Sequence, residues 1–519
     1  MVNPLKEEST KKTQELENFL KDELIDKSQV QIPSGYRLVK KYALKPPFSY
    51  ANILYDDEKS SYLYSVDEVK LNHEEIGIFE NLYHLIEQSL ESTDTVEENP
   101  NFDEQLDTVL KEHEKIFAGV SAVSMEKMKY YLRRDIAGFG LIDPLMHDIN
   151  IEDVSCSGTD KSIYVWHRNY DSIPTNIIFR SEEKLNSFVS RIVFRAGKNI
   201  SIAFPISDLA LQGNHRISVL YQKEITPKGT SFTIRKFKED PYTVIDLIDF
   251  GTIDLQIAAY LWMLIEEKMS FIIIGSTGSG KTTLLNAITG LVHPDHKIFS
   301  VEDVSEININ HENWFTLVSR TGFGLSGEGE IGLYDLIKAG VRHRPDYIVV
   351  GEIRGSEAYV MFQAMATGHG GLCTMHADSL ESAVKRLQQK PMDIPPAYVS
   401  LMNCALVVKR VKERATGQSA RRVLNVSEII NANSSHAAFS WNPKSDFFDN
   451  NLQDSTLFKK VAESTGKGLQ EVLEEYEKRK HILKWMSEHN IRDYKMVGEI
   501  IGKYYRDPES LMQKIDQGI

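Results

Sequence analysis

The chain is 519 residues long and 41% hydrophobic, with 74 Asp and Glu against 60 Lys and Arg for a net charge of −14, a composition that excludes wholesale disorder and collagen-like repeats. Residues 51–110 hold sixteen acids against two lysines and carry the whole net charge; the balanced remainder excludes a broad electrostatic footprint for nucleic acid, and no specific nucleic-acid partner is expected. The only cysteines, Cys156, Cys373 and Cys404, are too few and too scattered for a disulfide framework or a four-cysteine zinc site, and a reducing cytosol suits them.

Residues 1–30 are polar and charged, with no apolar signal-peptide core, and read as a frayed or weakly helical leader. Pro46-Pro47 opens a Tyr-, Ile- and Leu-rich stretch, 48–66, expected to form one or two strands. Ile76, Phe79, Leu82, Tyr83 and Ile86 share one helical face. Residues 91–105 are acid-rich without a base and read as a solvated loop before another helix near 106–117. These parts make an N-terminal extension, 1–120, assigned to docking rather than catalysis.

Short β-rich runs at 162–166, 176–179, 216–220 and 231–237, with a helix at 182–196, predict a small α/β (PAS-like) domain over 121–237. Lys238-Glu239-Asp240-Pro241 is the expected linker. Beyond it, apolar strands alternate with helices to about 430, the pattern of a parallel sheet built from βαβ units. The longest apolar stretch, 258–265, stops at Glu266, far short of the ~20 residues that span a bilayer. The chain therefore reads as soluble and cytoplasmic. A C-terminal helical segment, 433–519, is expected after a polar break at 431–454. Leu469, Val472, Leu473, Tyr476, Ile482, Leu483 and Met486 keep helical spacing in the first of its two patterns.

The strand Phe271-Ile272-Ile273-Ile274 leads into Gly275, Ser276, Thr277, Gly278, Ser279, Gly280, Lys281, Thr282 and Thr283. This is G-x-x-x-x-G-K-T between a strand and a helix, the context in which glycine backbone N–H groups cradle phosphates. Lys281 is expected on the β/γ-phosphates and Thr282 on Mg²⁺. The strand Ile348-Val349-Val350 ends in Gly351-Glu352, an acid placed to polarise water or the Mg²⁺ shell. Between them, Glu302, Asp303 and Glu306 follow a strand at 297–301, where carboxylates of a parallel sheet face the ligand crevice; one of them would orient the attacking water. His369 and His376, seven apart across a glycine turn and short strand, are candidate γ-phosphate sensors; their spacing is not that of a zinc site.

These elements, in this order, resemble the secretion and pilus-assembly ATPase superfamily that powers type II secretion, type IV pili and archaella. Its marks are a Walker A loop (275–282), an E-D-x-x-E Asp box (302–306), a Walker B strand ending in G-E (348–352) and a T-G-H…T-x-H His box (367–376). Further segments, among them Tyr131-Leu132-Arg133-Arg134-Asp135 and Phe232-Thr233-Ile234-Arg235-Lys236-Phe237, are similar to the archaeal branch. Val304 stands where the Asp box usually has proline, and the four-cysteine zinc insertion of many bacterial members is absent.

The resemblance implies a RecA-like P-loop domain at 242–432 that uses ATP and Mg²⁺ and assembles as a homohexamer. It implies a polytopic membrane platform protein as partner, with pilin-like subunits engaged indirectly, at the inner face of the cell membrane. Glu306 is chosen as the residue positioning the attacking water, with Glu302 the alternative; by the same resemblance Glu352 would hold the Walker B water and Mg²⁺ shell. It also implies that His369 and His376 would couple nucleotide to the domain interface. Arg216 and Arg235 would, as such arginines do in the family, approach a nucleotide across a domain or subunit boundary; the alternative for each is an exposed strand cation. A conjugation-type ATPase exporting protein or DNA, and a nucleotide-dependent binding protein with negligible turnover, remain the rival functions.

Overall fold

Alternating buried and exposed residues within the first half of the chain build one sheet, and short continuous apolar runs build a second. A computed structural model describes residues 32–91, 102–113, 117, 119–237, 240–320, 329–413, 417 and 419–517. The leader at 1–30, most of the acid-rich loop and half of the linker lie outside the described residues. The chain divides into two units, Met1–Phe237 and Lys238–Ile519.

The first unit is a nine-stranded sheet of β1 (Tyr36–Lys45), β2 (Ser49–Asp56), β3 (Ser61–Glu68), β4 (Ile151–Cys156), β5 (Ser162–His167), β6 (Asp171–Ile178), β7 (Ile206–Ala210), β8 (Arg216–Leu220) and β9 (Ser231–Arg235). The strand order is β1-β2-β3-β6-β5-β4-β9-β8-β7. The helix Glu182–Arg195, begun by Ser181 as N-cap, buries Leu185, Phe188, Val189, Ile192 and Val193 in the same core as Val154, Val165, Ile217 and Ile234.

The stretch 48–66, expected to form one or two strands, gives β2 and β3, and the lysine-rich β1 before it pairs along the edge of β2. These strands are not a body apart from residues 121–237. β3 joins β6 in parallel at Tyr64 and Thr175. The hydroxyls of Tyr42 and Tyr64 both donate to Oδ2 of the buried Asp148 at 2.6 Å. A buried carboxylate needs such partners, and here they tie the N-terminal strands to the rest of the sheet. Likewise Tyr130, beyond the boundary expected at 120, donates to Glu68 of β3 at 2.6 Å. The helices His73–Glu91 and Phe102–Glu112 share a smaller core with the helix Ala122–Leu132 through Leu82, Ile86, Leu106, Val109 and Leu132. Residues 102–105, read as loop, begin the second of these helices.

The second unit holds β10 (Phe271–Ile274), β11 (Ile298–Glu302), β12 (Trp314–Val318), β13 (Tyr347–Val350), β14 (Gly370–Met375), β15 (Cys404–Lys412), β16 (Ser419–Asn431), β17 (Ser434–Asn442) and β18 (Phe447–Asn450). They run β12-β11-β13-β14-β10-β15-β16-β17-β18. From β12 to β15 all pairs are parallel, and β15 to β18 continue antiparallel. β10, β13 and β14 are buried at every residue, as a parallel sheet covered on both faces requires. Helices Leu255–Glu266 and Lys281–Thr289 cover one face; Glu357–Ala366 and Leu380–Gln388 cover the other. Gly370 has no alternative, since a Cβ there would collide with the Tyr347 ring.

The C-terminal segment departs from expectation. Its first part, read as a polar break before helices, forms β17 and β18, whose polar residues suit a solvated edge. Arg422 of β16 anchors this hairpin through two 2.9 Å hydrogen bonds to Asp446. Four helices follow instead of two: Thr456–Thr465, Leu469–Glu488, Tyr494–Arg506 and Pro508–Asp516. They pack on the first face around Arg479, whose guanidinium is buried against Trp262, Tyr504 and Tyr505 and paired with Glu266 and Glu475.

Candidate functional site

The parallel register brings the ends of β10, β11, β13 and β14 to one edge, since Ile274 pairs with Met375, Val350 with Cys373 and Val301 with Val350. The phosphate-loop sequence, the Asp box, Gly351-Glu352 and His376 all leave the sheet there. Gly275 follows β10 with no room for a Cβ against the Val408 carbonyl. Gly278 and Gly280 take φ of 70° and 95°, the left-handed region that lets the loop fold back over the helix start. The helix Lys281–Thr289 carries no side-chain cap, leaving its first N–H groups and positive dipole end for an anion.

Lys281 is buried. Its Nζ donates to the Ser276 carbonyl at 3.0 Å and to Nδ1 of His376 at 3.2 Å. The ring's Nε2 lies 3.5 Å from the same Nζ and 3.3 Å from Oε1 of Glu352. Burial, then the Lys281 ammonium, lowers the imidazole's pKa. A neutral ring accepting from Lys281 and donating to Glu352 satisfies both contacts. Arg354 Nη2 donates to the second Glu352 oxygen at 2.6 Å. Arg386 Nη1 donates to the His376 carbonyl at 2.7 Å.

The two Asp-box glutamates have different surroundings. Glu302 ends β11 and is 2% exposed. Its Oε1 accepts the backbone N–H of Glu306 at 2.9 Å and of Ile307 at 2.8 Å. Its Oε2 is buried without a hydrogen-bond partner among the described residues. Burial pushes the carboxyl up to about 7, the two N–H groups offsetting only part of that cost. Glu306 is half-buried, and its carbonyl accepts Nδ2 of Asn286 at 3.2 Å.

His369 and His376 are not brought together. They flank the six residues of β14, roughly 20 Å of extended chain. His376 meets the phosphate loop, whereas His369 sits at the opposite sheet edge, where its Nδ1 donates to the Ala364 carbonyl at 3.0 Å. The glycine turn and short strand expected between them are strand throughout, Gly370 and Gly371 included. Arg216 and Arg235 are register partners on β8 and β9; Arg235 also pairs with Asp153 at 3.4 Å.

Sequence reasoning missed Asn286, Arg354, Arg386 and Arg421. Arg354 had a signal, two residues after Glu352. Arg421 had none: it reaches from β16 to donate to the Gly278 carbonyl at 3.3 Å.

For a metal, the Thr282 hydroxyl and Glu352 carboxylate are hard oxygen donors beside the phosphate loop, a set that suits Mg²⁺ shared with a polyphosphate. Among the described residues no helix is long and apolar enough to cross a membrane.

The family model described as "Type II/IV secretion system protein" matches residues 138–445. A second, "PilB3-like, N-terminal", matches residues 5–69. Uncharacterized protein MJ0900 of Methanocaldococcus jannaschii is 38% identical over 389 residues, covering 73% of this chain and 70% of its own. Type IV secretion system protein PtlH of Bordetella pertussis is 29% identical over 254 residues, covering 42% of this chain and 73% of its own. The X-ray structure of the Legionella pneumophila ATPase DotB is similar at 14% identity and a TM-score of 0.41, covering 73% of this chain and 95% of that one.

Proposed function

The chain belongs to the type II/IV secretion system protein family, and on that premise we propose that it is a hexameric motor that hydrolyses ATP to drive assembly of a pilus-like, archaellum-like or secretion filament. One observation carries the reading: the Lys281–His376–Glu352 chain at the edge where the phosphate loop leaves the sheet. A γ-phosphate drawing Lys281 away from His376 changes the hydrogen bonding of the ring that contacts Glu352. Nucleotide occupancy is thereby linked to the Walker B acid.

In this reading the N–H groups of the phosphate loop and helix start bind the β-phosphate, and Lys281 the β/γ-phosphates. Thr282 and Glu352 hold Mg²⁺, which when bound neutralises charge on the triphosphate. Glu306 orients the attacking water. Glu302, buried and engaged with backbone, holds the loop that presents Glu306. Arg216 and Arg235 serve a nucleotide by closure or from another copy.

The motor works beneath the membrane with a polytopic platform protein, and the match over residues 5–69 supports a pilus-type system over a conjugation-type one. Phosphate release from MgATP by the purified chain, its loss in Lys281→Ala, and a ring of six by native mass measurement test the reading. Affinity capture from native membranes, with identification of a platform protein and a pilin, tests the system.

A further inference from the structure

The segment that presents Glu306 is pinned from two sides. From the sheet, the Glu302 carboxylate takes the N–H groups of Glu306 and Ile307. From the phosphate-loop helix, Asn286 donates Nδ2 to the Glu306 carbonyl at 3.2 Å and accepts the Asn308 N–H on Oδ1 at 3.4 Å. One amide thus spans residues 306 and 308, and the Glu306 peptide is held at both its donor and its acceptor. Asn286 lies five residues after Lys281 on the same helix, about 7.5 Å along its axis.

Asparagine has poor helix propensity because its side chain competes for nearby backbone; this side chain instead bonds to backbone twenty residues away. Neither of its contacts touches the phosphate loop.

We infer that Asn286 is a positioning residue for Glu306: it fixes the acid's backbone to the helix that begins at the phosphate loop, so the water-orienting carboxylate follows that helix. The inference rests on the ATPase reading above. Its signature is a loss of turnover without loss of nucleotide affinity, because Lys281 and the loop glycines are untouched. It also predicts no independent effect once Glu306 is disabled.

The test uses the full chain and Asn286→Asp, nearly isosteric, which keeps the acceptor for Asn308 but cannot donate to the Glu306 carbonyl. Asn286→Ala serves as a second variant. Turnover should fall roughly ten- to a hundredfold, the scale of a small misplacement at a reacting centre, while Kd for MgATP stays within about twofold. In the double variant with Glu306→Gln, turnover should be no lower than with Glu306→Gln alone. Turnover within about twofold of wild type, an affinity loss as large as the rate loss, or losses that multiply in the double variant each overturn the inference. A wild-type chain that does not bind or hydrolyse MgATP overturns the ATPase reading and this inference together. An active wild type beside an unaffected Asn286→Asp overturns this inference alone.

Discussion

Oε1 of Glu302 accepts the backbone N–H of Glu306 at 2.9 Å. The first glutamate of the Asp box is therefore a holder of the second. This separates two carboxylates that are indistinguishable by residue type.

Glu306→Gln is expected to bind ATP and lose most turnover, since an amide cannot take a proton from water. Glu302→Gln keeps an acceptor oxygen for the two N–H groups and is expected to retain more turnover than Glu306→Gln. Single-turnover hydrolysis on both variants decides the assignment; the reverse ranking overturns it.

The raised Glu302 pKa makes a stability prediction. The carboxyl goes from 4.5 to about 7 on burial, so between those values the folded chain keeps a proton that the unfolded chain has released. Stability from this group is fully present below about 4.5 and is lost as pH rises toward about 7. Glu302→Gln has no such proton. Its Tm relative to wild type should climb over that interval and level off above it; a pH-independent difference in thermal scans would contradict the burial argument.

Lys281→Ala should abolish hydrolysis and weaken nucleotide binding, because the triphosphate loses its in-loop cation. Isothermal titration with MgATP and phosphate release measure the two effects, and wild-type values in either would remove the lysine from the site.

The histidines should now behave differently. His376→Ala breaks the contacts to Lys281 and Glu352 and should lower turnover strongly, while His369→Ala, at the far sheet edge, should have the smaller effect. Steady-state rates for the pair check this, and equal losses would restore His369 to the phosphate machinery.

Arg216 and Arg235 should also differ. Asp153 engages Arg235, and Arg216 has no ion pair among the described residues, so Arg216→Ala should cost more. An arginine acting on phosphate charge is worth ~10³–10⁵ in rate, against little for a surface cation. Mixing Arg216→Ala with Lys281→Ala protein should restore part of the activity if the arginine serves a neighbouring copy. Full activity in both single variants would leave two surface cations.

The amino-acid sequence by itself determined what is local. The phosphate loop was legible because its chemistry lies in nine consecutive residues, with glycines where φ is positive and an apolar strand and helix on either side. The parallel sheet was legible because buried strands are written as short apolar runs. The tertiary structure alone decided which glutamate is buried, since Glu302 ends β11 against Gly351, which follows the paired strand β13. It decided that β1, β2 and β3 join the first sheet, through Asp148 and a junction 111 residues away in sequence at Thr175. It placed Asn286 beside Glu306 and Arg421 beside Gly278. Spacing along a strand or helix fixes which way neighbouring side chains point, but burial and hydrogen-bond partners are set by elements that meet only when the chain has packed.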